Sequence, residues 1–262
     1  MRRPFSMRPG VAIIASIFVL AVSGCATPPP ANDPEAVAEY KQLNDPLEPT
    51  NRVVYAINDK LDTVLLRPVA VAYNYTVAPD VRSKIHNLMQ NLGTPVVLVN
   101  DMLQGKPRRA GDTFMRLILN TTIGVGGLFD VAGAWGWQAH DSDLGMTLAN
   151  WGADAGPYLM LPLFGPSNPR DTVGLAGDMY LTPFAYLPHG LGTTVFGYSK
   201  TAVGAVDARA GLVDEFDKIK AQALDPYATV RSLFRQHRQS VIDEMKVDEP
   251  LRTPSAWTQA PK

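Results

Sequence analysis

The 262-residue chain has one cysteine, Cys25, and no excess of positive charge: 24 lysines and arginines stand against 25 aspartates and glutamates. A lone cysteine excludes an intrachain disulfide and a multi-cysteine metal site. The balanced charge excludes the broad phosphate-neutralising face that nucleic-acid binding demands. After residue 24 no stretch approaches the ~20 uninterrupted apolar residues of a simple bilayer-spanning helix. Catalytic signatures are missing as well. Gly197-Tyr198-Ser199-Lys200 lacks the last glycine of a nucleophile elbow, and no His-Glu-x-x-His pair occurs. His86, His140, His189 and His237 lie far apart, without ligand spacing. Gly124-Val125-Gly126-Gly127 has no lysine after it and no strand before it, so it is not a phosphate loop. The expectation is therefore no catalytic residue, no metal and no cofactor. His140-Asp141-Ser142-Asp143, the one polar cluster of note, reads as a solvated surface loop.

What is present begins at the N-terminus. Arg2, Arg3 and Arg8 precede an apolar run from Val11 to Val22, followed by Val22-Ser23-Gly24-Cys25. As a helix that run rises ~18 Å, too short for a ~30 Å bilayer core and proportioned like the h-region of a secretion signal. Small residues ahead of a cysteine are the pattern at which a diacylglyceryl group is added before cleavage. Residues 1–24 are read as a lipoprotein signal peptide and Cys25 as the lipid-bearing N-terminus of the mature chain. One acyl chain binds a membrane only marginally, so several chains on one residue make a firm anchor. Ala26 stands where an aspartate would favour retention at the inner membrane, which points to the outer membrane. Removing the leader removes three arginines and no acid, moving the formal charge from −1 to −4.

Charge is unevenly spread along the remainder. Between Leu117 and His140 the only charged side chain is Asp130. Between Ala153 and Val206 there are only Asp154, Arg170, Asp171, Asp178 and Lys200. Such stretches suit either a large buried core layer or a surface facing lipid, where charge is expensive.

The organisation predicted from pattern is mostly α, with no convincing period-two alternation. Residues 25–44, with Pro28-Pro29-Pro30, read as a tether. Residues 45–246 form the folded helical domain, and 247–262 a loose polar tail. Asp45-Pro46 opens a helix striped by Val53, Ile57 and Leu61, broken or kinked at Arg67-Pro68. Pro79-Asp80 starts a second, striped by Val81, Ile85, Leu88, Met89 and Leu92. Gly93 is expected to stop it, and Thr94-Pro95 to restart it with Thr94 as N-cap. Pro107 begins a helix carrying Phe114, Leu117 and Ile118. Helical pattern returns from about Gly190 to Ala223, and Asp225-Pro226 caps a final helix with Val230, Leu233, Phe234 and Val241. Between them, Tyr158-Leu159-Met160-Leu161-Pro162-Leu163-Phe164 carries no charge and a proline that prevents regular helix. Tyr158, Leu159, Leu161, Leu163 and Phe164 are the candidate lipid-facing or channel residues, with burial in protein core as the competing reading.

Several blocks, in order, resemble the MlaA (VacJ) lipoprotein family. They are Asn44-Asp45-Pro46-Leu47-Glu48-Pro49-Thr50-Asn51-Arg52, Leu66-Arg67-Pro68-Val69-Ala70, Asn91-Leu92-Gly93-Thr94-Pro95 and Leu103-Gln104-Gly105-Lys106. Asn120-Thr121-Thr122-Ile123-Gly124, Asp130-Val131-Ala132, Gly156-Pro157-Tyr158, Arg170-Asp171 and Asp225-Pro226-Tyr227 continue the match. The motif positions carried over are Asn51, Arg67, Pro68, Asn120, Gly124, Asp130, Gly156, Pro157, Arg170 and Asp171. Leu117 and Leu144 stand where the family usually has Phe, Asp154 where it usually has Gly, and Pro169 is an unusual neighbour of Arg170. The resemblance implies a single, ring-like, all-helical lipoprotein in the inner leaflet of the outer membrane, paired with a trimeric porin. It implies removal of phospholipids that have strayed into the outer leaflet and their transfer to a soluble periplasmic lipid carrier. An inner-membrane ABC transporter completes the return, and lipid asymmetry is kept. A structural envelope lipoprotein that tethers partners without moving lipid is the alternative.

Overall fold

The computed structural model describes residues 45–188 and 190–247. The leader, Cys25, the tether, His189 and the tail beyond Val247 lie outside the described residues. Residues 45–59 with 156–169 form one compact unit, and residues 60–155 with 170–247 another.

The first unit joins most of helix α1 (Glu48–Leu61) to a hairpin of β1 (Leu159–Leu161) and β2 (Gly165–Ser167). The strands pair antiparallel, with Leu159 opposite Ser167, Met160 opposite Pro166 and Leu161 opposite Gly165. The outer edge of β1 has no third strand; two asparagines of α1 take its place. Asn51 Nδ2 donates to the Tyr158 carbonyl at 3.0 Å, and its Oδ1 accepts from Met160 N at 2.9 Å. Asn58 Nδ2 donates to the Leu161 carbonyl, and its Oδ1 accepts from Leu163 N, both at 2.9 Å. Each side-chain amide turns one donor and one acceptor to the strand, as a peptide group does. The spacings agree: seven helical residues rise ~10.5 Å, and the three residues from Met160 to Leu163 span ~10 Å when extended. Asn51 is buried and also donates to Asp45 Oδ1 at 2.8 Å.

In the second unit, residues Asp62–Leu66 are π-helical and are followed by α2 (Arg67–Thr76), α3 (Pro79–Leu103) and α4 (Pro107–Thr122). Then come α5 (Val131–Ala134), α6 (Leu144–Asn150), α7 (Pro169–Leu181), a 3₁₀ turn (Pro183–Tyr186), α8 (Leu191–Gly211), α9 (Val213–Gln222) and α10 (Pro226–Lys246). Helix α3 packs along α4, α8 packs on α2 and α3, and α10 on α6. The mostly helical expectation holds. So do the starts at Pro79, Pro107 and Pro226, each proline in a first helical turn where its missing N–H leaves no bond unmade. Asp225 caps α10 by accepting from Ala228 N, as its place before Pro226 predicts.

Three expectations are corrected. Thr94 is not a cap: α3 runs unbroken through Pro95, and Thr94 Oγ1 donates back to the Gln90 carbonyl at 3.1 Å. Packing of the whole helix along α4 outweighs the ~3 kcal/mol that an internal proline costs. The interruption expected at Arg67-Pro68 is not among them: the regular helix gives way to five π-helical residues just before it, and Pro68 sits in the first turn of α2. Tyr158–Phe164, where no period-two alternation shows, contains β1; its unbroken apolar run hides the strand signal. His140–Asp143 is not a solvated loop. The His140 side chain is 2% exposed, Ser142 is buried, and Asp143 caps α6 by accepting from Met146 N.

The interior is unusual in kind. One small apolar cluster joins Met146 of α6 to Ile242 and Met245 of α10, with Ala149 and Val241 against it. Elsewhere the buried side chains are largely polar, including Asn100, Asp101, Arg109, Asp112, Thr113 and Thr147. Large apolar side chains lie outside. In the charge-poor stretches Ile118, Ile123, Phe129, Trp135, Tyr186, Leu191, Val195 and Tyr198 are all exposed. Those stretches are therefore not a buried core layer. No helix among the described residues is long and apolar enough to cross a membrane.

Candidate functional site

Three helices of the second unit each turn one stripe toward a shared cavity of about 590 Å³. Helix α3 contributes Gln90, Thr94 and Val97; α4 contributes Arg109, Thr113 and Arg116; α10 contributes His237, Val241 and Glu244. Each set follows i, i+4, i+7 spacing, so each lies on a single helix face. Ala139, His140 and Asp141 close the wall, and Gly93, beside Thr94, adds no side chain to it. The apolar stripes read from sequence on α3 and α4 are different residues. The polar stripes have the same period, and that period was the signal available for finding the site.

The wall is tightly hydrogen-bonded on one side. Asp101 is fully buried; it accepts from Thr113 Oγ1 at 2.6 Å and lies 3.0 Å from His140 Nε2. This anchors the imidazole, and its Nδ1 has no partner. Arg116 Nη1 donates to the Trp137 carbonyl, and Nη2 lies 3.1 Å from Asp130 Oδ1. Arg109 is different. It is 2% exposed, and its polar neighbours include the Asp141 carbonyl at 3.3 Å from Nη2 and Glu244 Oε1 at 4.0 Å from Nη1. Its Nε and Nη1 make no hydrogen bond. A guanidinium is always charged, so a cation with two unbonded donors is buried within the wall.

Of the motif positions, Asp130 and Asn120 join the cavity wall through Arg116. Asn120 Nδ2 donates to Asp130 Oδ1 at 2.9 Å, and Asn120 Oδ1 accepts from Ala132 N at 2.9 Å. Asp130 caps α5 by accepting from Gly133 N. Burial alone would raise the Asp130 carboxyl, but bonds from Gly133, Asn120 and Arg116 outweigh it and hold it below its ordinary value. Gly124 is buried beneath this knot; a Cβ there would stand 2.3 Å from the Phe129 carbonyl oxygen. Arg67 pairs with Asp217 through two bonds of 2.9 and 2.7 Å. Arg170 binds Asp171, which with Asp143 grips Arg238 from α10 through four bonds of 2.7–2.9 Å. Burial works against the Asp171 carboxylate, yet Arg238 and Arg170 prevail and depress its pKa.

In the first unit, Tyr158 is buried, Leu159 and Leu161 are half-buried, and Leu163 and Phe164 are exposed. Gly156 is exposed and Pro157 half-buried ahead of β1. Asp154 is exposed to solvent, and Pro169 packs against Gly156 and opens α7, so both departures are accommodated. Leu163 has φ +68°, a left-handed conformation unusual for a branched side chain. Among the described residues there is no group of His, Cys, Asp and Glu that could hold a metal.

A helical fold with charged and polar side chains in a cavity wall and large apolar ones outside suits a protein that handles lipid. The family model for "MlaA lipoprotein" matches residues 43–241, and the chain belongs to that family. It is 33% identical to the intermembrane phospholipid transport system lipoprotein MlaA of Haemophilus influenzae, covering 93% of this chain and 94% of that one. Its identity to the Escherichia coli K12 protein of the same description is 34%, over 81% and 84% of the two chains. A solved structure from work on the structural basis for maintenance of bacterial outer membrane lipid asymmetry matches with a TM-score of 0.67 and 35% identity. The match covers 76% of this chain and 98% of that one. The description of the named relatives is one of transport, not of enzymatic activity.

Proposed function

We propose that this protein removes phospholipids misplaced in the outer leaflet of the outer membrane and passes them to a soluble periplasmic carrier for return to the inner membrane. The single observation that carries the reading is the inverted distribution of polarity. A cavity of about 590 Å³ has Arg109, Arg116, His140 and Glu244 in its wall, while large apolar side chains of the same unit face outward. A head group needs polar partners when it leaves bulk water; acyl chains need none and are content beside apolar surface. No covalent step is required.

In this reading Cys25 carries the acyl chains that hold the protein to the outer membrane. The exposed apolar side chains face lipid or a trimeric porin partner, and the hairpin tip at Leu163 and Phe164 reaches lipid depth. An inner-membrane ABC transporter draws the lipid onward from the carrier. Outer-leaflet phospholipid in cells lacking the protein tests the proposal. Accumulation that is reversed by the wild-type chain supports it. Unchanged outer-leaflet phospholipid, with altered envelope attachment, would favour a tether that moves no lipid.

A further inference from the structure

We infer that Lys200 is a seat for the phosphate of a phospholipid whose acyl chains lie against the apolar outer face of α8, and that Lys84 of α3 is a second seat of the same kind. The inference rests on the reading that exposed apolar side chains face lipid, and it names the polar contact on that surface. Four lysines among the described residues of the second unit are half-buried. Lys106 donates to the Lys246 carbonyl at 2.9 Å, and Lys220 lies 3.4 Å from Asp62 Oδ2. Lys200 and Lys84 have no hydrogen bond or ion pair among the described residues. Each rests on a phenylalanine instead. Lys200 Nζ lies 4.8 Å from the ring centroid of Phe184, and Lys84 Nζ 5.3 Å from that of Phe129, within reach of cation–π attraction. Neither Nζ is sealed from solvent, so donors of each ammonium are open to a ligand.

The flanking residues supply the apolar half of a lipid site. On α8 itself Leu191, Val195 and Tyr198 are exposed, as are Tyr186 and Leu187 beside Phe184 in the 3₁₀ turn. The residues three and four away from Lys200 are Phe196, Gly197, Val203 and Gly204, none of them acidic. Asp207 and Arg209, the other charged residues of α8, are buried and paired with His86 and Asp62. Lys200 is therefore the one charge that α8 leaves unanswered, and burial lowers its pKa with no anion to oppose the shift. Lys84 repeats the pattern: Val81, one turn before it, is exposed, as are Ile123, Val125 and Phe129 after α4. A lysine stem laid on apolar surface, with its ammonium free, is how a side chain reaches the head-group level of a bilayer. A charge-assisted bond to a phosphate oxygen then provides the anion that the protein withholds. Two separate copies of the arrangement suit a leaflet, which offers phosphate wherever the apolar surface meets it; a protein partner would need an acid placed at both.

The test uses the full-length acylated protein in phosphatidylcholine nanodiscs. With Cys25 acylated, a fluorophore is placed on V203C, one turn from Lys200, or on V81C, one turn from Lys84. Quenching is compared for two chain-nitroxide lipids, phosphatidylglycerol and diacylglycerol, the second of which lacks phosphate. At each probe phosphatidylglycerol is expected to quench about fivefold more effectively than diacylglycerol. K200Q should remove that preference at V203C and leave it at V81C, and K84Q should do the reverse. K200R, which keeps the charge, should keep the preference. Where K200Q fails to fold, K84Q read at V81C carries the same test. An unchanged preference in K200Q at V203C overturns the seat while leaving the lipid-facing reading intact. A loss of equal size at both probes does the same, since it would reflect general surface charge. Quenching at V203C that vanishes when a trimeric outer-membrane porin is co-reconstituted overturns the seat too, because the face would then belong to the porin. No quenching by either lipid at either probe overturns the lipid-facing reading of these surfaces as well.

Discussion

At Leu163 the usual ranking of glycine and alanine should reverse. The residue lies at φ +68° at the hairpin tip, with its side chain 79% exposed. A left-handed conformation costs a residue with a Cβ about 1–2 kcal/mol. Truncation to alanine removes little burial, because only about a fifth of the side chain is covered, and the backbone cost stays. Truncation to glycine removes that cost as well, against about 0.5–1 kcal/mol for glycine's greater freedom in the unfolded chain. In detergent, L163G should therefore melt above L163A by about 1 kcal/mol, some 2–4 °C for a protein of this size. In an ordinary helix or strand glycine would melt below alanine. The Leu163 N–H bond to Asn58 Oδ1 is a backbone contact and survives both changes. L163K should stay within about 0.5 kcal/mol of wild type in detergent, since an exposed site buries no charge. In a bilayer, lysine should disfavour lipid contact by up to ~2.5–3.5 kcal/mol at mid-depth and less near the interface. Calorimetry of the three variants checks the backbone argument, and a lipid-phase probe on L163C checks the location. Glycine melting below alanine would refute the strain, and an unlabelled L163C would remove the tip from lipid.

Asn51→Ala should cost about 2–3 kcal/mol, because it strips partners from the Tyr158 carbonyl and the Met160 N–H, both in buried residues; denaturant unfolding followed by tryptophan-independent circular dichroism reads it. The arginine-bound carboxylate of Asp171 titrates below 3.8 in the folded chain, so its share of stability is full above that pH and is lost as pH falls through the lower folded value. The melting temperature of wild type should then fall more steeply below pH 4 than that of D171N. Asp178 has the opposite sign, since burial raises its carboxyl despite bonds from Asn100 and Leu144. Its contribution is full at low pH and fades as pH rises through the raised value, so D178N, which keeps an acceptor oxygen, should lose no stability at pH 7 by thermal melting. Cys25→Ala should leave an uncleaved, unacylated precursor, which intact-protein mass spectrometry will reveal; an acylated C25A product would refute the anchor.

Helix starts were legible because they are local: proline in a first turn, and aspartate before it at Asp225, act within a few residues. Pro95 misled for the opposite reason. The gain that keeps α3 whole comes from α4, which a local reading of Gly93-Thr94-Pro95 does not contain. The strands escaped notice because three apolar residues in a row have no alternation, and because asparagines of α1, more than a hundred residues away in sequence, complete the edge of β1. His140 looked solvated since its decisive partner, Asp101, is 39 residues distant. The cavity left a trace in the polar stripes at four- and three-residue steps. Helical period shows most plainly in apolar residues, while here the stripes that face the cavity are mostly polar.

The scarcity of buried apolar side chains has a calorimetric consequence. Heat-capacity change on unfolding comes chiefly from apolar surface newly exposed to water, and the large apolar residues here are already exposed in the folded chain. In water the protein should therefore unfold with a smaller heat-capacity increment than its length suggests. Its stability curve should be flatter with temperature and should depend strongly on what covers that surface. Detergent chain length, or the lipid of a nanodisc, then becomes a thermodynamic variable of the fold itself, and melting temperatures from two solubilising media describe two different equilibria.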